Sequence, residues 1–254
     1  FLELSNFPYM AKSQTPKLDG AQALIKTLAD LGVEYIFGYS GGAALPIFDA
    51  LETVDSGIKF ILTRHEQGAT HMADGYARAT GKPGVVLVTS GPGAGNTITG
   101  IMTAQMDSVP MIIITGQQVT WMLGKDAFQE ADIFGITIPV VKHNYLVRET
   151  NELPRIAKEA FHIATTGRPG PVLVDVPKNV SQSPFTGDLD AEIDLPGYRP
   201  EKGYDIDEVS IEEAARLINL AKRPLILAGH GAMISGAEAE LIEIASKLDC
   251  PVTS

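Results

Sequence analysis

The chain contains 254 residues, of which 44% are hydrophobic and 20% charged, and its formal net charge is −11. This balance is typical of a globular protein and argues against a nucleic-acid partner, because phosphate binding requires a basic face. The single cysteine, Cys250, excludes a disulfide framework and fits a reducing compartment, so a cytoplasmic location is predicted. No apolar run reaches the roughly 18 residues of a membrane span, so no membrane association is expected.

The N-terminal tail, residues 1–18, is predicted to lie outside the fold. It lacks the basic segment followed by an apolar stretch that marks a secretory signal. Met10 is a candidate for the true translation start, because the nine residues before it look unrelated to the rest of the chain. A helix is predicted over residues 20–31, with Asp19 as its N-cap and Gly32 just past its end.

Short apolar runs then alternate with helical patterns. The runs are continuous, as expected for strands buried on both faces of a parallel sheet. A further amphipathic helix is predicted over residues 152–166, and four methionines are predicted to fill the core. The alternation predicts a doubly wound α/β sheet. The predicted strands are residues 35–37, 58–62, 85–88, 111–114, 172–174 and 225–227, and the methionines are Met72, Met102, Met106 and Met111.

Two domains are predicted. Residues 19–182 form the first domain, and residues 183–206, which are rich in proline and acidic residues and lack periodicity, are predicted to be a linker. Residues 207–254 open a second α/β domain, of which only one strand and two helices are complete. Because that is too little to close a core, we expect a truncation or a missing partner.

The residues after the predicted strands are candidates for a ligand site, because open α/β sheets bind ligands beyond the carboxyl ends of their strands. Glycine turns follow two strands, at residues 38–42 and 90–96. Taken alone, each is as compatible with a simple turn as with a ligand site. Glu66 lies where a strand ends and a helix begins. A lone glutamate at a helix start is also typical of a surface group that the helix dipole favours. The spacing of the histidines does not match a metal site. The sequence lacks the G-x-S-x-G motif, which argues against a serine hydrolase.

Five stretches, taken together and in order, resemble the pyrimidine-binding domain of thiamine-diphosphate enzymes. They are most similar to the large catalytic subunits of the acetolactate synthase (acetohydroxyacid synthase) family. The resemblance covers residues 18–182, and residues 206–254 resemble the start of the central domain of this family. The stretches are FGYSGGAALPIFDAL, RHEQGATHMADGYARATGKPGVVLVTSGPGAGN, DSVPMIIITGQ, DAFQEAD and GRPGPVLVDVPKNV.

The resemblance implies that Glu66 is the catalytic carboxylate, which hydrogen-bonds a ring nitrogen of the aminopyrimidine of thiamine diphosphate. Arg155 and the turn at Gly229 and Gly231 match residues near FAD, and Phe128 and Lys178 match residues near the substrate. The candidates for cofactor contacts are Gly42, Gly91, Asn96, Gln117, Gln129, Arg155, Gly229 and Gly231.

The implied reaction is the decarboxylation of pyruvate and its condensation with pyruvate or 2-ketobutyrate, in branched-chain amino-acid biosynthesis. The implied cofactors are thiamine diphosphate, Mg²⁺ and FAD, and the Mg²⁺ ligands are expected on a C-terminal domain whose acidic motif does not occur here. The implied assembly is a homodimer or tetramer, with or without a regulatory small subunit. Half of an active site is therefore expected on this chain, which is predicted to be inactive alone.

Two residues depart from the family pattern. Ser40 stands where the family usually has proline, and Gly95 stands where it usually has threonine, so both turns are less restricted than usual. Two alternatives stay open: another thiamine-diphosphate-dependent decarboxylase or carboligase of 2-keto acids, and a non-catalytic fragment that acts as a binding module.

Overall fold

The structure, a computed structural model, describes residues 18–198 and 207–254. Most of the predicted tail, including Met10, and the last part of the predicted linker lie outside the described residues. The chain divides into two compact units, Phe1–Arg199 and Pro200–Ser254.

The first unit is built around a six-stranded parallel sheet with the order β2-β1-β3-β4-β6-β5. The strands are β1 (Tyr35–Tyr39), β2 (Lys59–Leu62), β3 (Gly84–Val88), β4 (Met111–Gln117), β5 (His143–Leu146) and β6 (Pro171–Pro177). The helices are α1 (Gly20–Asp30), α2 (Leu45–Thr53), α3 (Glu66–Thr80), α4 (Pro92–Gly95), α5 (Ile98–Met106), α6 (Ile133–Thr137), α7 (Leu153–Thr165) and α8 (Lys178–Gln182). This architecture confirms the predicted doubly wound α/β class.

The helices cover both faces of the sheet. Helices α1, α2 and α7 pack on one face, around strand residues such as Ile112 and Val174. Helices α3 and α5 pack on the other, around Ile113 and Leu173. Neighbouring residues of one strand therefore enter different cores, which is why the strand sequences are continuously apolar.

The strand order reverses between β1 and β3. The chain passes from β1 outward to β2 and then returns to the other side of β1 to form β3. At such a reversal the connections leave in opposite directions and open a crevice at the carboxyl ends of the strands. The sheet therefore places the candidate site between the turns that follow β1 and β3.

The first helix begins and ends as its sequence predicts. Asp19 accepts a hydrogen bond from the backbone N–H of Gln22 at 2.8 Å, and the Gln22 side chain accepts one from Asp19 N–H at 3.1 Å. These two bonds form a capping box, which satisfies amide groups that the helix leaves unpaired. Gly32 adopts the left-handed conformation, with φ of +79°, beyond the other end.

Three sequence predictions are corrected by the sheet and its helices. The strand predicted to be buried over residues 58–62 is the edge strand β2, and Leu62 is 66% exposed. Strand β5 was not predicted, because it lies at the opposite edge and is not continuously apolar. Of the four methionines predicted to fill the core, only Met111 is buried, while Met72, Met102 and Met106 are exposed.

Part of the predicted linker packs on the first unit. Phe185 is buried, and its N–H donates to the carbonyl oxygen of Leu18 at 2.8 Å. Near the end of this segment the carbonyl oxygen of Tyr198 lies 2.7 Å from Nε2 of His162. Residues 183–198 are therefore held against the unit that precedes them.

The second unit contains α9 (Glu208–Leu220), β7 (Ile226–Leu227), α10 (His230–Ile234), α11 (Glu238–Leu248) and β8 (Val252–Thr253). Strands β7 and β8 pair in parallel. None of the described residues 207–254 is buried. Within both described parts of the chain, no helix combines the length and the apolar character needed to cross a bilayer.

Candidate active site

The turn after β1 lies against the end of β3 and the end of β4 at the carboxyl edge of the sheet. The N–H of Ala43 donates to Oγ1 of Thr89 at 3.3 Å, which joins the first turn to the end of β3. A Cβ atom on Gly41 would lie 2.5 Å from the Thr89 side chain, and one on Gly116 would lie 2.8 Å from the Ala43 backbone. Glycine at these two positions therefore allows the turn after β1 to approach both neighbouring strand ends.

Glu66 is the first residue of α3, as the sequence predicts, and it is only 8% exposed. His65 caps the helix, because its Nδ1 accepts the N–H of Gln67 at 3.1 Å. Oε2 of Glu66 accepts a hydrogen bond from Nδ2 of Asn96 at 3.0 Å. The positive end of the helix dipole favours a carboxylate at this place.

The second oxygen of Glu66 has no hydrogen-bond partner among the described residues. A Cβ atom on Gly93 would lie 3.2 Å from this atom, Oε1, so the glycine keeps its surroundings open. Ser90 lies close to Gly93 in sequence. Its hydroxyl is the only buried side-chain polar atom without a partner in the described part of the chain. The free acceptor follows β2 and the unsatisfied hydroxyl follows β3, and each fits a polar ligand, because such groups are normally paired.

A loop formed by residues 123–132, the 123–132 loop, lies against the glycine turn that follows β3. A Cβ atom on Gly91 would lie 2.6 Å from the carbonyl oxygen of Gln129. Gln129 itself has φ of +56°, a left-handed conformation that few non-glycine residues adopt. Phe128 is 82% exposed. The loop thus brings two predicted site residues, Phe128 and Gln129, beside a third, Gly91.

The 123–132 loop is closed by one of its own side chains. The Glu130 carboxylate accepts hydrogen bonds from the N–H groups of Gly124 and of Ala127, the latter at 2.8 Å. These backbone bonds lower the pKa of Glu130. The short 3-10 helix Thr120–Met122 precedes the loop and carries Trp121, which is 62% exposed.

Gln117 lies at the end of β4 and is committed to contacts within the protein. Its Nε2 donates to the carbonyl oxygen of Ala131 at 3.0 Å and to Oδ2 of Asp175 at 2.9 Å. Its Oε1 accepts the N–H of Gln118 at 2.8 Å. Both amide hydrogens of Gln117 are therefore used inside the chain, and the structure does not leave them free for a ligand.

Asp175 was not predicted from the sequence. It is 1% exposed, and burial raises its pKa to about 7, although hydrogen bonds from Thr115 and Gln117 act in the opposite direction. The signal was present in the strand PVLVDVP, where one acid interrupts a continuous apolar run. A charged residue at a position that must be buried usually has a specific partner.

Two other predicted residues lie at the same edge of the sheet. Gly42 is exposed in the turn after β1, and a Cβ atom on it would meet no atom within 4 Å. Lys178 directly follows β6 and begins α8, and it is partly buried. Gly95, which replaces the usual threonine, likewise has open space around it.

The residues predicted to contact FAD lie on other elements than Glu66. The Arg155 guanidinium, on α7, donates to Glu152 Oε1 at 2.9 Å and to Glu159 Oε1 at 2.6 Å. Gly229 and Gly231 belong to the second unit, at the start of α10. Within residues 18–198 and 207–254, no group of three or more histidine, cysteine or acidic side chains is arranged to hold a metal ion.

Comparisons with known proteins match both parts of the chain. Residues 18–136 match the N-terminal TPP-binding domain of thiamine pyrophosphate enzymes, and residues 211–254 match the central domain of these enzymes. The chain is 52% identical to an acetolactate synthase of Arthrospira platensis, over 96% of this chain and 42% of that protein. It is 50% identical to the acetolactate synthase large subunit of Haemophilus influenzae, over 94% of this chain and 41% of that protein.

A third relative, the acetolactate synthase large subunit of Lactococcus lactis, is 50% identical over 92% of this chain and 40% of its own length. The chain therefore spans about two fifths of the length of these relatives. Two domain matches in the expected order, together with this identity over nearly the whole chain, show that it belongs to the thiamine pyrophosphate enzyme family and is homologous to the N-terminal part of acetolactate synthase large subunits.

Proposed function

We propose that this chain supplies the pyrimidine-binding half of an acetolactate synthase active site. The observation that carries the proposal is Glu66, a buried carboxylate at the start of α3. One of its oxygens is held by Asn96, and the other has no partner within the described part of the chain. The complete protein condenses pyruvate with pyruvate or 2-ketobutyrate after decarboxylation, as part of branched-chain amino-acid biosynthesis. When bound, thiamine diphosphate supplies the electron sink that this carbon–carbon chemistry requires.

The residues at the site fit the aminopyrimidine end of this cofactor. Glu66 Oε1, which has no partner among the described residues, would share a proton with a ring nitrogen of the aminopyrimidine, and Asn96 fixes the orientation of the carboxylate. The hydroxyl of Ser90, which has no partner among the described residues, offers a second polar contact at the end of β3. Gly42, with open space around it, lets a ring approach the backbone.

The 123–132 loop lines the pocket. Phe128, which is largely exposed, offers an aromatic surface to substrate, and Gln129 lies against Gly91. Lys178, at the end of β6, completes the substrate side of the pocket. The remaining cofactor ligands, including those of Mg²⁺, are proposed to lie on a C-terminal domain that faces Glu66 from another subunit.

FAD is proposed as a further cofactor of the complete protein, held by Arg155 and by the turn at Gly229 and Gly231. The Arg155 guanidinium forms ion pairs with Glu152 and Glu159. When FAD binds, it either keeps these two partners or exchanges them for the cofactor. The assembly is proposed to be a homodimer or tetramer in the cytoplasm, with or without a regulatory small subunit. The exposed methionines of α3 and α5 support a subunit contact.

The test is Glu66→Gln in the product of the complete gene, identified by reading the coding DNA beyond Ser254. Loss of proton transfer at this position is expected to lower acetolactate formation from pyruvate by about a hundredfold or more. The matched control is Glu52→Gln, because Glu52 is an exposed glutamate of α2, and it is expected to leave the rate unchanged. Undiminished turnover by the Glu66 variant would contradict the proposal.

The same preparation separates the alternatives. Acetolactate and acetohydroxybutyrate as products support the proposed reaction, whereas an aldehyde or another carboligation product indicates a different thiamine-diphosphate enzyme. The 254-residue chain alone is expected to bind thiamine diphosphate weakly, as calorimetry can measure, and to form no acetolactate. A gene that ends at Ser254, with no separate gene for the missing domain, would favour a binding module.

A further inference from the structure

A chain of hydrogen bonds, buried where it begins, links the interior of the sheet to the 123–132 loop. It begins at Asp175, whose Oδ1 accepts a hydrogen bond from Thr115 Oγ1 at 2.7 Å and whose Oδ2 accepts one from Gln117 Nε2 at 2.9 Å. Both carboxylate oxygens are thereby occupied. Asp175 contacts no other side chain of the candidate site through these bonds, so the proposed chemistry does not account for it.

The strand register explains why these three side chains meet. Thr115 is the register partner of Asp175 in the parallel pair of β4 and β6. Gln117 is two residues further along β4, and side chains two residues apart in a strand point to the same face. The sheet itself therefore sets the carboxylate between the hydroxyl and the amide.

The chain of bonds continues into the loop through Gln117 and its neighbour. Gln117 Nε2 donates to the carbonyl oxygen of Ala131 at 3.0 Å, near the end of the loop. Gln118 Nε2 donates to the carbonyl oxygen of Phe128 at 2.6 Å, at its middle. Gln117 Oε1 in turn accepts the N–H of Gln118, so the two tethers are coupled.

We propose that Asp175 is a positioning residue, which orients the Gln117 amide and thereby holds the 123–132 loop, with Phe128 and Gln129, against the glycine turn at Gly91. Without the carboxylate, the Gln117 amide loses one of its three hydrogen-bond partners, and the tether to Ala131 is weakened. The loop conformation depends on such support, because Asp126 and Gln129 both have positive φ, at 53° and 56°.

The test measures amide hydrogen exchange in the 254-residue chain, at Gly124, Ala127 and Glu130, whose N–H groups are hydrogen-bonded within the loop. Asp175→Ala is expected to raise their exchange rates about tenfold, the effect of losing roughly one hydrogen bond. Asp175→Asn retains an oxygen for Gln117 and is expected to keep the rates within about twofold of the unchanged chain.

Thr115→Val is the matched control. It removes a hydrogen bond of the same carboxylate on the side away from the loop, so it is expected to lower global stability without releasing the loop amides. Gln117→Met removes both N–H donors of the side-chain amide at similar side-chain volume. It is expected to raise the loop exchange rates as much as Asp175→Ala does.

The outcomes separate positioning from general structural support. Unchanged loop exchange in a folded Asp175→Ala chain overturns the proposal, and so does equal acceleration by Thr115→Val. If Asp175→Ala does not fold, Gln117→Met provides the test. Loop exchange rates in Gln117→Met that equal those in Thr115→Val contradict the proposal that Gln117 holds the loop. Circular dichroism establishes which variants are folded.

A second arm rests on the proposed function. In the product of the complete gene, Asp175→Ala is expected to raise the thiamine diphosphate concentration for half-maximal activity about tenfold, while Asp175→Asn restores it. The two arms fail separately. One outcome is that exchange is accelerated in Asp175→Ala while the unsubstituted protein forms no acetolactate. That result supports the positioning role of Asp175 and rejects the proposed reaction.

Discussion

At the scale of single residues, two buried acids at the carboxyl end of the sheet have different surroundings and therefore different tasks. Both oxygens of Asp175 accept hydrogen bonds within the chain, whereas one oxygen of Glu66 has no partner among the described residues. A carboxylate with both oxygens bonded inside the chain stabilises a conformation, and one with an unbonded oxygen can share a proton with a ligand. We accordingly assign support to Asp175 and proton transfer to Glu66.

The raised pKa of Asp175 predicts a particular dependence of stability on pH. Burial raises the pKa of Asp175 from its ordinary 3.8 to about 7, so the folded state holds this proton more tightly than the unfolded chain. The contribution is fully present below pH 3.8 and is lost as the pH rises towards 7.

The measurement is urea unfolding of the unchanged chain and of Asp175→Asn, which cannot ionise, between about pH 4 and pH 8. The difference in unfolding free energy is expected to grow in favour of the variant as the pH rises. Parallel pH profiles of the two chains would contradict a proton held by Asp175.

Glu66 and Asp175 also mark what a sequence can and cannot predict at this scale. Glu66 was identified because its position, between a strand and a helix, is visible in the sequence pattern and in the motif around it. The contact between Asn96 and Glu66 joins residues 30 positions apart, and no local pattern contains it. Asp175 was missed for the same reason, because its role exists only once β4 and β6 are in register.

At the scale of elements, the close approach of α3 and α5 depends on Gly100. A Cβ atom at this position would lie 2.0 Å from Oγ1 of Thr70. Gly100→Ala is therefore expected to destabilise the fold by roughly 1–3 kcal/mol, the usual cost of overpacking. Urea unfolding monitored by circular dichroism measures the change.

Gly75 provides the matched comparison for this substitution. It lies in α3, and a Cβ atom there would meet nothing within 4 Å. Gly75→Ala is expected to stabilise the chain by about 0.4–1 kcal/mol, because alanine has less freedom to lose on folding. Similar effects of the two alanines would show that the contact with Thr70 does not limit helix packing.

The elements that the sequence predicted well are those whose burial is complete. Strands β3, β4 and β6 are buried throughout, and their continuous apolar runs revealed them. Strand β5 is an edge strand in which Asn144 hydrogen-bonds Phe134 and Thr137 of α6, so polar residues interrupt its pattern. Burial depends on strand order, which the sequence of one strand does not contain.

At the scale of the whole molecule, the two units differ in how much they bury. The first has a core on each face of its sheet, whereas none of the described residues 207–254 is buried. Limited proteolysis is therefore expected to cut within residues 207–254 well before it cuts within 18–198. Mass spectrometry of the resistant fragment checks this order, and equally rapid digestion of both parts would refute it.

Trp121 gives the protein an optical reporter of its own. It is the only tryptophan in the sequence, it is exposed, and it directly precedes the loop that carries Phe128 and Gln129. Selective excitation of this indole yields emission from one place, without labels or substitutions. A titration with a ligand that reorders the neighbouring loop thus becomes a fluorescence measurement on the natural chain, and the concentration at half-change gives its affinity directly.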